Sequence, residues 1–143
     1  MLLASDNLPT KDEHDVRLCI SAGEPLPSDL LARWQGTFGV DILDGLGTTE
    51  MLHIFVSNRP DEITPGSTGR VVPGYQIRLI NDNNEVCAQG EMGVLEVSGP
   101  SSALMYWGQR QKTKDTFKGT WTCLLYTSPS PRDRQKWGMP GCG

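Results

Sequence analysis

Hydrophobic and polar positions along the chain fall into two kinds of segment. Val16, Leu18 and Ile20 alternate with Arg17 and Cys19, the period of a half-buried strand. A turn follows, Ser21-Ala22-Gly23-Glu24-Pro25-Leu26-Pro27. Pro27 or Ser28 then opens a helix to Phe38, with Leu30, Leu31 and Trp34 on one face and Gly36 and Gly39 at its end. A second strand is predicted over 40–43. The glycine-rich turn 44–50 and the apolar run 51–56 then read as a tight turn and the start of a second helix, closed by Asn58-Arg59-Pro60-Asp61. Two strand–turn–helix units in succession predict an α/β unit with parallel strands.

The second half changes period. Tyr75 to Ile80 alternates as a strand, Asn81-Asp82-Asn83-Asn84 is a hairpin turn, and 93–100 is a further strand ended by Gly-Pro. Residues 106–117 predict a short polar helix. The fold class expected is therefore α/β: a partial parallel-sheet unit over 1–62, then a small antiparallel, barrel-like β subdomain over 63–122. After Thr122 the pattern stops. Residues 123–143 have no strand or helix period and carry three of the ten prolines. CLLYTSPSPRD, at 123–133, resembles a translated sequencing adapter, so 123–143 is expected to be a non-native tail that packs against nothing.

Composition narrows the function classes. A chain of 143 residues is about one domain. A net charge of −4 argues against a nucleic-acid or anionic-membrane surface. No apolar run approaches the ~20 residues of a membrane-spanning helix. Met1-Leu2-Leu3-Ala4-Ser5-Asp6 lacks the features of a signal peptide, and Met1 need not be the true start. Cys19, Cys87, Cys123 and Cys142 show no metal-ligand spacing and read as reduced thiols of a cytoplasmic protein.

The candidate chemistry sits in Asp44-Gly45-Leu46-Gly47-Thr48-Thr49-Glu50. Glycines allow close backbone approach, and threonine hydroxyls with helix-start amides suit an anion such as phosphate. Glu50 beside them offers a ligand to a Mg²⁺ that bridges phosphate oxygens. An ordinary capped turn, with threonine as cap and glutamate in the first turn, accounts for the same seven residues.

Four segments decide between these readings: SAGEPLP at 21–27, DGLGTTEMLHIF at 44–55, PGSTGRVVPGY at 65–75 and GEMGVLEVSGPSSALMYW at 90–107. In this order and spacing they resemble the adenylate-forming, AMP-binding superfamily, and within it the benzoate-CoA ligase-like acyl-CoA ligases. The resemblance covers nearly all of 5–122 and implies a fragment of the large N-terminal domain. It implies nucleotide-binding roles for Gly23, Glu24, Pro25, Asp44, Gly45, Leu46, Gly47, Thr48 and Thr49. It places Leu46 and Gly47 at the acyl pocket; His53, one helical turn beyond Glu50 on the predicted helix, is a further candidate for that pocket, with a satisfied helix histidine the commoner reading. It makes Glu50 the Mg²⁺ ligand and Thr49 and Glu50 catalytic, with the catalytic lysine outside this chain. The implied cofactors are ATP and Mg²⁺, with coenzyme A as cosubstrate, and the implied partner is a small aryl carboxylic acid. The implied reaction is attack of a carboxylate on the α-phosphate of ATP, then displacement of AMP by the thiol of coenzyme A.

Departures from the family pattern are Leu46, often aromatic in relatives, Val94, often acidic, and Met105, often glycine. The phosphate loop is expected upstream of Met1, and a Thr-Gly-Asp after Thr122. The isolated chain is accordingly expected to be inactive. The alternatives are an adenylating ligase for another carboxylic acid and a non-catalytic nucleotide-binding or scaffold truncation.

Overall fold

The computed structural model describes residues 2–5 and 7–124. These form two units. The first holds the residues up to Gly47 together with Ile54–Val72; the second holds Thr48–His53 and the residues from Pro73 onward.

In the first unit, β1 (Cys19–Ala22) runs parallel to β2 (Ile42–Gly47). Helix α1 (Ser28–Phe38) connects them, as the apolar face at Leu30, Leu31 and Trp34 predicts. It ends at Gly39, whose φ of 66° allows its N–H to reach the Gln35 carbonyl at 2.9 Å. Gly36 lies inside the helix and does not end it. The strands are displaced from the expected spans: β1 starts at Cys19 rather than Val16, and β2 runs on to Gly47 rather than stopping at Leu43.

The second predicted helix is absent. Thr49–Met51 makes one helical turn, and β3 (Ile54–Ser57) then runs antiparallel to β2. β4 (Arg70–Val71) adds to the far side of β3, giving a mixed sheet in the order β1-β2-β3-β4. Two physical reasons favour the strand. Ile54, Phe55 and Val56 are β-branched or aromatic and suit a pleated surface. Leu52 has φ 71°, which a continuing helix does not tolerate. Gly45 makes the pairing close: a Cβ there would lie 2.9 Å from the Val56 carbonyl oxygen and 2.9 Å from Ile54 Cγ2. β4 belongs to this sheet, and the first unit runs to Val72.

The second unit is the expected antiparallel sheet, with four strands in the order β5-β6-β8-β7. β5 (Gln76–Ile80) pairs with β6 (Val94–Ser98) in a five-residue register. Helix α2 (Arg110–Thr116) leads directly into β7 (Phe117–Lys118), which turns back as β8 (Trp121–Cys123) beside β6. Val97, Thr122 and Cys123 are buried between these elements. The expectation that nothing beyond Thr122 packs is corrected at two residues: Cys123 pairs with Glu96, and the Leu124 amide donates to the Leu95 carbonyl at 3.0 Å. β-pairing continues because both side chains are apolar and fill the core. Residues 125–143 lie outside the described residues.

One buried ion pair crosses the β5–β6 register. Arg78 donates through Nε at 2.8 Å and Nη2 at 2.7 Å to the same oxygen of Glu96, a side chain only 5% exposed. The guanidinium also stacks over Trp121, 4.0 Å from the ring centroid.

Candidate functional site

The motif residues divide between the units at the Gly47–Thr48 bond. In the first unit, Asp44 is the centre. It lies within β2 and is 6% exposed. Its Oδ2 accepts the Leu26 amide at 3.3 Å, which ties the exposed turn Gly23, Glu24 and Pro25 to the strand. Gly23 has φ 95°, so the bend at the end of β1 is one glycine adopts freely. Asp44 Oδ1 is buried and has no hydrogen-bond partner among the described residues. A buried carboxylate oxygen without a donor is costly, and it fits a ligand that brings an N–H. Gly45 is buried, and Leu46 and Gly47 are half-buried at the end of the strand.

The main chain of Asp44 is held as tightly as its side chain. Its carbonyl oxygen accepts the Asn58 amide at 3.0 Å and Asn58 Nδ2 at 3.2 Å. Sequence reasoning passed over Asn58 as a residue closing a helix. Its signal, an asparagine at the end of an apolar strand and before a Pro-Gly turn, is visible only once β3 is recognised as a strand.

In the second unit, Thr48, Thr49 and Glu50 form the helical turn. Thr48 caps it: its hydroxyl oxygen accepts the Met51 amide at 3.3 Å. Thr49 is exposed. The 99–106 segment clamps the turn. The Ala103 amide donates to the Glu50 carbonyl at 2.7 Å, Ser101 Oγ donates to the Met51 carbonyl at 2.6 Å, and the Tyr106 hydroxyl donates to Glu50 Oε1 at 2.5 Å. Gly99 leaves room for the ring of Tyr75, which a Cβ at that position would strike.

These contacts set the charge on Glu50. Partial burial is the largest influence and pushes its pKa up. Hydrogen bonds from Tyr106, its own backbone and Thr48, with the charge of Lys112, together outweigh it and hold the carboxyl below its ordinary value. The Tyr106 hydroxyl moves the opposite way, raised by burial and by the Glu50 carboxylate that accepts its proton. Lys112 lies over the Tyr106 ring at 4.2 Å.

His53 is not one helical turn beyond Glu50, because the helix stops at Met51. It is exposed in the connection to β3. Its ring stands edge-on to Tyr75, with Nε2 3.1 Å from the Tyr75 hydroxyl. That hydroxyl is in turn 2.7 Å from Ser101 Oγ. Because Ser101 gives its proton to the Met51 carbonyl, Tyr75 must donate to Ser101 and accept from His53. The bonding thus requires a proton on His53 Nε2.

Among the described residues, no group of three or more His, Cys, Asp or Glu side chains forms a metal cluster. A lone carboxylate such as Glu50 nonetheless suits Mg²⁺, which keeps several waters and takes one or two carboxylates with substrate phosphates. No helix among the described residues is long and apolar enough to cross a membrane.

The glycine-bearing strand β2 and the capped turn at Thr48–Glu50 are thus each described, and the chain can be compared with known proteins. Residues 1–107 match the AMP-binding enzyme family, to which this chain belongs. More particularly, the chain is 53% identical over 122 residues to the benzoate–CoA ligase of Thauera aromatica, covering 85% of this chain and 23% of that protein. The crystal structure of a benzoate CoA ligase from Burkholderia xenovorans LB400 superposes with a TM-score of 0.81 at 48% identity, over 84% of this chain and 24% of that one. An anthranilate CoA ligase solved in complex with anthranoyl-AMP gives a TM-score of 0.73 at 44% identity, over 76% and 21% of the two chains. The chain therefore spans about a quarter of the length of these relatives.

Proposed function

We propose that these residues are part of the AMP-binding domain of an ATP-dependent aryl acid–CoA ligase acting on benzoate or a close ring analogue. The observation that carries the reading is the 53% identity to a benzoate–CoA ligase across the whole of the candidate site. The unpartnered Asp44 oxygen and the ionised, clamped Glu50 are what such a site requires.

Asp44 and the Gly23–Pro25 turn bound to it through Leu26 would lie along the nucleotide base, with Oδ1 accepting an N–H. Thr49, exposed and next to the capped Thr48, would donate to the α-phosphate. Glu50 would hold Mg²⁺ through a carboxylate kept ionised and oriented by Tyr106. That ion offsets charge on the phosphates when bound. Leu46 presents an apolar side chain and with Gly47 is assigned to the acyl pocket; the assignment of His53 there lapses with the helical turn it rested on. The chemistry is transfer of the adenylyl group to the acid, then thioester formation with coenzyme A. Positioning and electrostatic stabilisation contribute most of the rate. The catalytic lysine lies outside this chain, and we place the protein in the cytoplasm.

The test is a graft. Residues 1–122 replace the matching segment of the Burkholderia benzoate CoA ligase, and acid-dependent exchange of pyrophosphate into ATP is measured. The reading predicts exchange with benzoate, and none from the 143-residue chain alone. A folded graft that activates no aryl acid would refute it.

A further inference from the structure

Asn58 is 4% exposed, and its amide makes three directed hydrogen bonds. Nδ2 donates to the Asp44 carbonyl at 3.2 Å and to the Ser67 carbonyl at 2.6 Å, while Oδ1 accepts the Thr64 amide at 3.1 Å. The partners fix the amide's orientation: rotated by half a turn, it would face two carbonyls with an oxygen and an N–H with a nitrogen. With its own main-chain N–H on the same Asp44 carbonyl, Asn58 ties three stretches of the first unit together: the middle of β2, the end of β3 and the 64–67 turn. Gly69 completes the arrangement. A Cβ there would collide with the Ser57 carbonyl and the Asn58 nitrogen, so only glycine lets the chain leaving the turn pass β3.

Asp44 is gripped by Asn58 on its main chain and by the Leu26 amide on Oδ2, and the remaining Oδ1 stays buried without a donor. A carboxylate free to rotate would turn that oxygen to a donor or to water, since leaving it bare costs free energy. The Leu26 N–H on Oδ2 restrains the carboxylate, and the Asn58 bonds hold the main chain that carries it.

We propose that Asn58 is a positioning residue for nucleotide recognition: by fixing the Asp44 backbone it keeps Oδ1 presented to an N–H donor on the base. This rests on the nucleotide reading of Asp44 given above and adds to it a residue that touches no nucleotide. Its effect is on discrimination between bases, not on the chemistry of the phosphates.

The test has two arms. In the first, amide hydrogen exchange is followed in the full chain with Asn58→Ala, and with Asn58→Asp, which keeps the shape and the acceptor but loses both donors. The proposal predicts that the Leu26 amide exchanges about tenfold faster. The Gly39 amide, bonded to Gln35 at the end of α1, should not change. In the second arm, the Asn58→Ala graft should lose about tenfold in its preference for ATP over GTP, read as the ratio of KM values, with KM for benzoate unchanged. Unchanged Leu26 exchange in a folded variant would overturn the proposal. So would equal acceleration of Leu26 and Gly39, which marks a purely structural role, or KM values for ATP, GTP and benzoate that move together. A wild-type graft that binds neither nucleotide would instead refute the nucleotide reading, and the exchange arm would still decide whether Asn58 fixes Asp44.

Discussion

Replacing Tyr106 by phenylalanine removes one hydroxyl and leaves the packing in place. The ring keeps its contact with Phe117, 5.4 Å between centroids, and the Lys112 ammonium stays over its face. What is lost is the 2.5 Å bond to Glu50. A hydrogen bond to a charged acceptor contributes about 1.5–3 kcal/mol, and the half-exposure of Glu50 places this one at the lower end. Tyr106→Phe should therefore cost about 1.5 kcal/mol at neutral pH. The pH dependence follows from the direction of the Glu50 shift. A carboxyl held below its usual value of 4.5 contributes stability that is present above that value and lost as pH falls through the folded-state pKa. The gap between wild type and variant should be flat above about pH 6 and narrow below about pH 4.5. Urea unfolding followed by circular dichroism at neutral and acid pH measures both. Equal stability at neutral pH, or a deficit that persists in acid, would refute the role assigned to this bond.

Other perturbations read other parts of the structure. Gly45→Ala should cost about 1–3 kcal/mol in the same assay, because the new Cβ meets the Val56 carbonyl and Ile54 at 2.9 Å and the backbone cannot give way freely. Arg78→Ala should cost about 3 kcal/mol by leaving the buried Glu96 carboxylate without its partner, whereas Arg78→Ala with Glu96→Leu should recover much of that loss. Ser101→Ala and Tyr75→Phe break the same run of hydrogen bonds from His53 to the Met51 carbonyl. Their effects on stability should be non-additive, the double variant costing about as much as the larger single one, and additive values would show that the run is not a unit.

Some of this was legible in the chain and some was not. The α1 pattern, with its apolar face and closing glycine, marked the first crossover, and the alternation to Ile80, the Asn-Asp turn and the Gly-Pro stop after Ser98 marked the antiparallel pair. The run after Glu50 misled because a mostly apolar stretch of six residues fits a short helix or a strand equally well. The positive φ of Leu52 and the close approach at Gly45 that settle the matter are tertiary facts. β7 and β8 are two and three residues long, too short to show a period. The charged and glycine-bearing residues of the site stood out as chemical types in sequence. Their supports did not: Tyr106 lies 56 residues from Glu50, and Asn58 and Ser101 are ordinary polar residues until the fold gives them partners.

If the 44–50 motif activates an acid with ATP, the Glu50 carboxylate is the group whose loss should be felt most directly. Pyrophosphate exchange should be compared between the wild-type graft and its Glu50→Gln variant at saturating benzoate and Mg²⁺. Glutamine keeps the size and an acceptor for Tyr106 but removes the charge. The account predicts benzoate-dependent exchange in the wild type and a loss of about a hundredfold in the variant. Exchange that survives Glu50→Gln undiminished would contradict it.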